Sequence, residues 1–69
     1  MALRHQVGNN HCVTMELLDE SMYRVAVYPC SNNKCGHYIT EMFYPCDIEN
    51  RKRAEKTFKR YVRRYCSTK

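Results

Sequence analysis

Cys30-Ser31-Asn32-Asn33-Lys34-Cys35-Gly36-His37 is the stretch on which the reading of this chain turns. Asn tolerates positive φ better than most residues, so Asn32-Asn33 suits a two-residue type I′ turn between antiparallel strands. With that pair at the turn, facing positions have numbers that sum to 65. Cys30 is then expected opposite Cys35, Tyr28 opposite His37, Ala26 opposite Ile39 and Arg24 opposite Glu41. The last pair sets opposite charges across the strands, which favours this register. Two thiols and an imidazole come together on one face.

Working outward, Cys12 to Leu18 alternates, with Val13, Met15 and Leu17 one way and Cys12, Thr14, Glu16 and Leu18 the other. That is the pattern of a half-buried strand. Asp19-Glu20-Ser21 is a polar turn, and Met22 to Pro29 alternates again. Placing both apolar sets on one face requires pairing that sums to about 40, which sets Glu16 beside Arg24. His37 to Tyr44 forms a third strand with Tyr38, Thr40 and Met42 toward the core. Ile39 and Phe43 fall on the Glu16–Arg24–Glu41 face, where they would form an exposed apolar pair at a contact surface or weak dimer face. Residues 1–11 show no periodicity and read as a polar, mobile lead-in.

Pro45 ends the third strand and Asp47 suits a helix N-cap, with Glu49 in the first turn. From Ile48 to Tyr65 the apolar residues Ile48, Ala54, Phe58, Tyr61, Val62 and Tyr65 recur at helical spacing. The expected fold is α+β: a three-stranded antiparallel sheet covered on one face by a C-terminal amphipathic helix, in one small domain over residues 1–69.

A chain of 69 residues has a thin core, and chains of this size often need a disulfide, a metal or a partner. Five cysteines make the first two concrete. Cys30-x4-Cys35-x-His37 together with Cys12 offers three thiols and one imidazole for a structural zinc, with Cys66 or His11 as alternative ligands. Separate reduced thiols and a Cys30–Cys35 disulfide are the competing readings. The first residues lack the apolar core of a signal peptide, and no segment approaches the ~20 apolar residues of a membrane span. The expected setting is a reducing cytoplasm with no membrane. Cys46 reads as a buried small hydrophobe.

Enzymatic activity is not expected. Cys35 and His37 are nucleophile and base on paper, but nothing in the sequence builds an oxyanion hole around them, and a catalytic zinc needs a pocket that this chain is too small to enclose. A redox-active Cys30 or Cys35 is a separate alternative, requiring a low-pKa thiol.

Formal net charge is +5, and its placement matters more than its size. From Arg51 onward there are nine Lys or Arg and one acid, Glu55. Lys52, Arg53, Lys56, Lys59, Arg60, Arg63 and Arg64 form a positive stripe opposite the apolar one. A solvated helix face would carry interspersed acids in i,i+4 pairs, so the unpaired stripe implies an anionic partner, either nucleic acid contacted at its phosphates or a nucleoprotein.

The β-β-β-α order resembles the C-terminal part of a double-stranded RNA-binding domain. The first helix and the lysine cluster of that family are not both present, so its function is not carried over. The chain also resembles the small single-domain anti-CRISPR proteins of phages and mobile elements, through the compact plan from about Cys12 to Cys66 and the Cys30/Cys35/His37 turn. Some members of that group bind Cas9 and some carry zinc. The resemblance implies an inhibitor of a Cas9-like nucleoprotein effector in a bacterial host cell. Many members are acidic DNA mimics, whereas this chain is basic, so the implied target is guide RNA, bound DNA or an acidic protein patch.

Overall fold

The computed structural model describes residues 2–32 and 34–67. Its elements are strands β1 (Ala2–Gly8), β2 (His11–Leu18), β3 (Met22–Ser31), β4 (Lys34–Cys35) and β5 (Thr40–Pro45), then helix α1 (Ile48–Tyr61), which runs on into a π-helical turn over Val62–Cys66. The fold is α+β, with one antiparallel sheet and one C-terminal helix. The sheet is wider than three strands: β1, β2 and β3 are successive neighbours, and β4 and β5 share the other side of β3.

The polar lead-in expected over residues 1–11 is therefore a strand over its described part. Asn9 and Asn10 turn the chain with φ of 49° and 61°, and Gly8 pairs with His11. This is the same Asn-Asn chemistry read at Asn32-Asn33, where Asn32 has φ 51° and Asn33 lies outside the described residues. β1 lacks visible alternation because Arg4, His5 and Gln6 are all polar, and a bulge between Ala2 and Arg4 offsets Ala2 from the rest of the strand. As an edge strand it also has no second neighbour to bury it.

The β2–β3 pairing is as expected, with Glu16 opposite Arg24 and Leu18 opposite Met22. At the far end of β3, Cys30 pairs with Cys35 and Ser31 with Lys34, also as expected. Between these, the register departs from expectation. Val27 pairs with Thr40, Ala26 with Glu41 and Arg24 with Phe43, so two extra residues have entered the partner strand. Pro29 supplies the reason. Its carbonyl points to that side and accepts from the Gly36 N–H at 2.8 Å, but its nitrogen has no hydrogen to return, and the ladder breaks there. Residues 36–39 bulge past it until the Ile39 N–H meets the Val27 carbonyl at 2.7 Å. His37 consequently does not pair with Tyr28. Tyr38, assigned above to the core side, packs instead over Arg24 on the other face, 5.6 Å from ring centre to guanidinium.

Val13, Met15, Val25 and Val27 are almost fully buried and meet Ala54 and Phe58 of α1, with Leu3, Tyr44, Tyr61, Val62 and Tyr65 around them. This is the expected seam between one sheet face and the helix. Ile48 does not belong to it and is 80% exposed. It lies six residues before Ala54, so at roughly 100° per residue it points well away from the core. Cys46 is exposed rather than buried.

The π turn has a structural consequence of its own. A straight α-helix at roughly 100° per residue would turn Cys66 toward solvent, on the side of Lys52 and Lys59. The wider π turn advances more slowly, which brings Tyr65 against His11, with ring centroids 5.4 Å apart. It also brings Cys66 Sγ to 3.7 Å from the carbonyls of Gln6 and His11. Gly8 permits this approach: a Cβ there would stand 2.7 Å from the Cys66 carbonyl oxygen.

Candidate functional site

The cationic stripe begins at a well-built helix start. Asp47 is the N-cap, its Oδ1 accepting from the Asn50 N–H at 2.8 Å, while the Asn50 side chain bonds both carboxylate oxygens. Those backbone and side-chain bonds from Asn50 hold the Asp47 carboxyl below its usual range. With its buried side committed to the sheet, α1 turns everything else outward.

Lys52, Arg53, Lys56, Lys59, Arg60, Arg63 and Arg64 are all exposed. Lys52, Lys56, Lys59 and Arg63 follow 4-3-4 spacing along the ridge opposite Ala54 and Phe58, and Arg53 and Arg60 flank it one turn-pair apart. Glu55 pairs with Arg51 at 3.5 Å. Among the described residues none of the seven lies within ion-pair distance of a carboxylate. Arg64 rests over the Tyr65 ring at 5.7 Å, and Arg4 of β1 lies over Phe58 at 5.2 Å. Arg4 is thus a further cation on the helix side of the sheet, and it went unread because β1 itself was.

Two shallow depressions lie along this surface. One, of about 330 Å³, is lined by Lys56, Lys59, Arg60 and Arg63. The other, of about 170 Å³, is lined by Arg53, Lys56 and Arg60 together with Thr57 and Tyr44. The cations thus border concave ground.

The opposite sheet face handles charge differently. Arg24 donates to Glu41 Oε2 at 2.8 Å, Glu16 Oε1 at 3.1 Å and the Tyr28 hydroxyl at 2.6 Å, with the Tyr28 and Tyr38 rings beside it. Burial alone would lower the Arg24 pKa; its bonds to Tyr28, Glu41 and Glu16 more than offset this and hold it above the usual value. Glu41 is reached diagonally rather than directly across, because two extra residues preserve the face of every side chain while shifting its partner.

The proposed zinc ligands are placed as follows. Cys30 and Cys35 are joined in a disulfide. Cys12 is buried opposite Tyr28 on β2. His37 is exposed with its ring against Tyr38 at 4.7 Å. His11 donates from Nδ1 to the Asn9 carbonyl at 2.8 Å. A disulfide offers no thiolate, and among the described residues no three His, Cys, Asp or Glu side chains gather as a metal would need. The donor set does not fit a zinc ion in this arrangement. Burial pushes the Cys12 thiol up, with the neighbouring Cys66 adding to it, and burial likewise raises Cys66. Neither resembles an activated nucleophile.

No described helix is long and apolar enough to cross a membrane. Comparison with known protein families, with curated proteins and with solved structures finds no match for this chain.

Proposed function

We propose that this protein is a small interaction module that docks on the phosphate backbone of nucleic acid, free or within a nucleoprotein complex, through the outer face of α1. One observation carries the reading: seven exposed cations along α1 and the π turn that continues it, five of them bordering two shallow depressions and none in an ion pair with a carboxylate among the described residues. Like charges four residues apart, as at Lys52/Lys56, Lys56/Arg60 and Lys59/Arg63, cost an isolated helix a few tenths of a kcal/mol each, and a phosphate chain would relieve that repulsion. Contacts of this kind position a protein without reading base sequence. In an anti-CRISPR-like role the same face would engage the guide RNA or bound DNA of an effector.

The test is fluorescence polarisation of a labelled oligonucleotide against salt concentration. Binding should weaken steeply as salt rises, and replacing Arg60, Arg63 and Arg64 with Ala should reduce that slope by about three phosphate contacts. Affinity independent of salt, or unchanged in the triple variant, would remove the reading.

A further inference from the structure

The two depressions along the helix differ in what lines them. The one bordered by Lys59 and Arg63 has cations alone. The smaller one adds a hydroxyl pair, Tyr44 OH and Thr57 Oγ1, 2.6 Å apart. Thr57 is the buried polar residue of the helix, only 6% exposed, and it sits at the seam where β5 meets α1. A Thr in mid-helix facing a sheet would ordinarily be an apolar residue, so its hydroxyl calls for an explanation.

Two hydroxyls carry two hydrogens between them, and their mutual bond uses one. Whichever oxygen donates, one hydroxyl hydrogen remains among the groups that line the pocket with Arg53, Lys56 and Arg60. Among the described residues no carboxylate lines it. Three cations around a spare hydroxyl donor match an oxyanion of high charge density, and guanidinium groups suit the paired oxygens of phosphate.

Resting on the reading that α1 meets nucleic acid, we propose that this pocket seats a single phosphate group. Arg53 and Arg60 clamp it, Lys56 closes the rim, and the Tyr44–Thr57 pair donates from below. The neighbouring depression carries the adjoining backbone electrostatically. The pocket would set the register of a strand that the rest of the stripe merely attracts.

The experiment is amide chemical-shift mapping of the full chain with three probes: inorganic phosphate, adenosine 5′-monophosphate and dimethyl phosphate. Ionic strength is held constant with sodium chloride. Saturable shifts concentrated at Tyr44, Arg53, Lys56, Thr57 and Arg60 are expected. Shifts spread evenly over Lys52, Lys59 and Arg63, or no saturable shift with any probe, would overturn the pocket. Tighter binding of the two monoester-type probes than of dimethyl phosphate would identify a strand end as the source, and equal binding an internal diester; both uphold the site. Because either hydroxyl alone would still hold one free hydrogen, the decisive change removes both: Tyr44→Phe combined with Thr57→Val should weaken the phosphate probe about three- to tenfold, the loss of one hydrogen bond. Unchanged phosphate affinity in this double variant would overturn the proposal. The mapping on the unsubstituted protein stands even if the double variant folds poorly. An oligonucleotide that fails to bind while the phosphate shifts persist would overturn the broader function and leave the pocket intact.

Discussion

The two faces of this small protein treat positive charge in opposite ways. On the open sheet face a single Arg24, largely withdrawn from water, is held by two carboxylates, a phenol and two aromatic rings. On the helix face, seven cations stand in solvent with no carboxylate at ion-pair distance among the described residues. Charge that serves the fold is neutralised within the fold, because a part-buried ion left unpaired is costly. Charge left uncompensated at the surface costs little in water and remains available to a partner. The difference is what supports placing the proposed function on the helix and the architecture on the sheet.

The comparison is broken most severely by removing the layer that keeps the faces apart. Phe58→Ala takes out the aromatic ring that α1 buries against Met15 and Val25. A loss of about 3 kcal/mol or more is expected. In a domain this small that should leave a substantial unfolded population, visible as lost near-ultraviolet circular dichroism at 25 °C. Next comes Arg24→Met, which keeps bulk but strands Glu16 and Glu41 beside each other. These carboxylates keep part of their hydration, at 33% and 24% exposure, so the cost should fall below that of a fully buried pair, to about 2 kcal/mol in urea denaturation.

Two smaller changes sharpen the contrast by improving stability. Thr14 lies on the open face, opposite His5 and Ala26, and its buried Oγ1 has no hydrogen-bond partner among the described residues. Thr14→Val should stabilise by about 1 kcal/mol, read as a higher urea midpoint at unchanged slope. On the helix, replacing Lys52 and Lys59 with Gln should raise the melting temperature slightly, by relieving a few tenths of a kcal/mol of like-charge repulsion per pair, while weakening oligonucleotide binding. A gain in stability with a loss in binding is the signature of residues kept for a partner. If the double variant instead lost stability, the stripe would have a structural role after all.

How much of this the sequence carried can be read residue by residue. The β2–β3 register was legible because Glu16, Arg24 and two clean alternations agreed. The helix and its cation stripe were legible because nine basic residues crowd the end of the chain. The first strand was not, since Arg4, His5 and Gln6 leave no apolar alternation. Yet Asn9-Asn10 carried the same turn signal that was read at Asn32-Asn33, and weighing it equally would have exposed the strand. The two-residue bulge at 36–39 was hidden for a subtler reason: it preserves which face each later residue takes, so the Glu16–Arg24–Glu41 cluster forms under either register. Only Pro29, with a carbonyl to offer and no hydrogen to return, marked the break. The pocket at Tyr44 and Thr57 was out of reach because it joins a strand and a helix whose relative placement no spacing encodes.

The contact of Cys66 with Gly8 and His11 also bears on the order in which the molecule comes apart. β2, β3 and β5 are joined by short connections, and the helix buries their centre. β1 is an edge strand that pairs with β2, and a further restraint on it comes from residues about sixty positions away along the chain. That contact closes a long loop, so the chain entropy regained when it breaks favours opening at this corner. The π turn therefore acts as a latch: while it is shut, strand and helix end protect one another, and when it opens both are freed together. Local opening at this corner would expose the β1 edge and the half-buried thiol of Cys66 and carry Arg63 and Arg64 with it, while the remainder of the sheet and the cations of α1 from Lys52 to Arg60 stay in place.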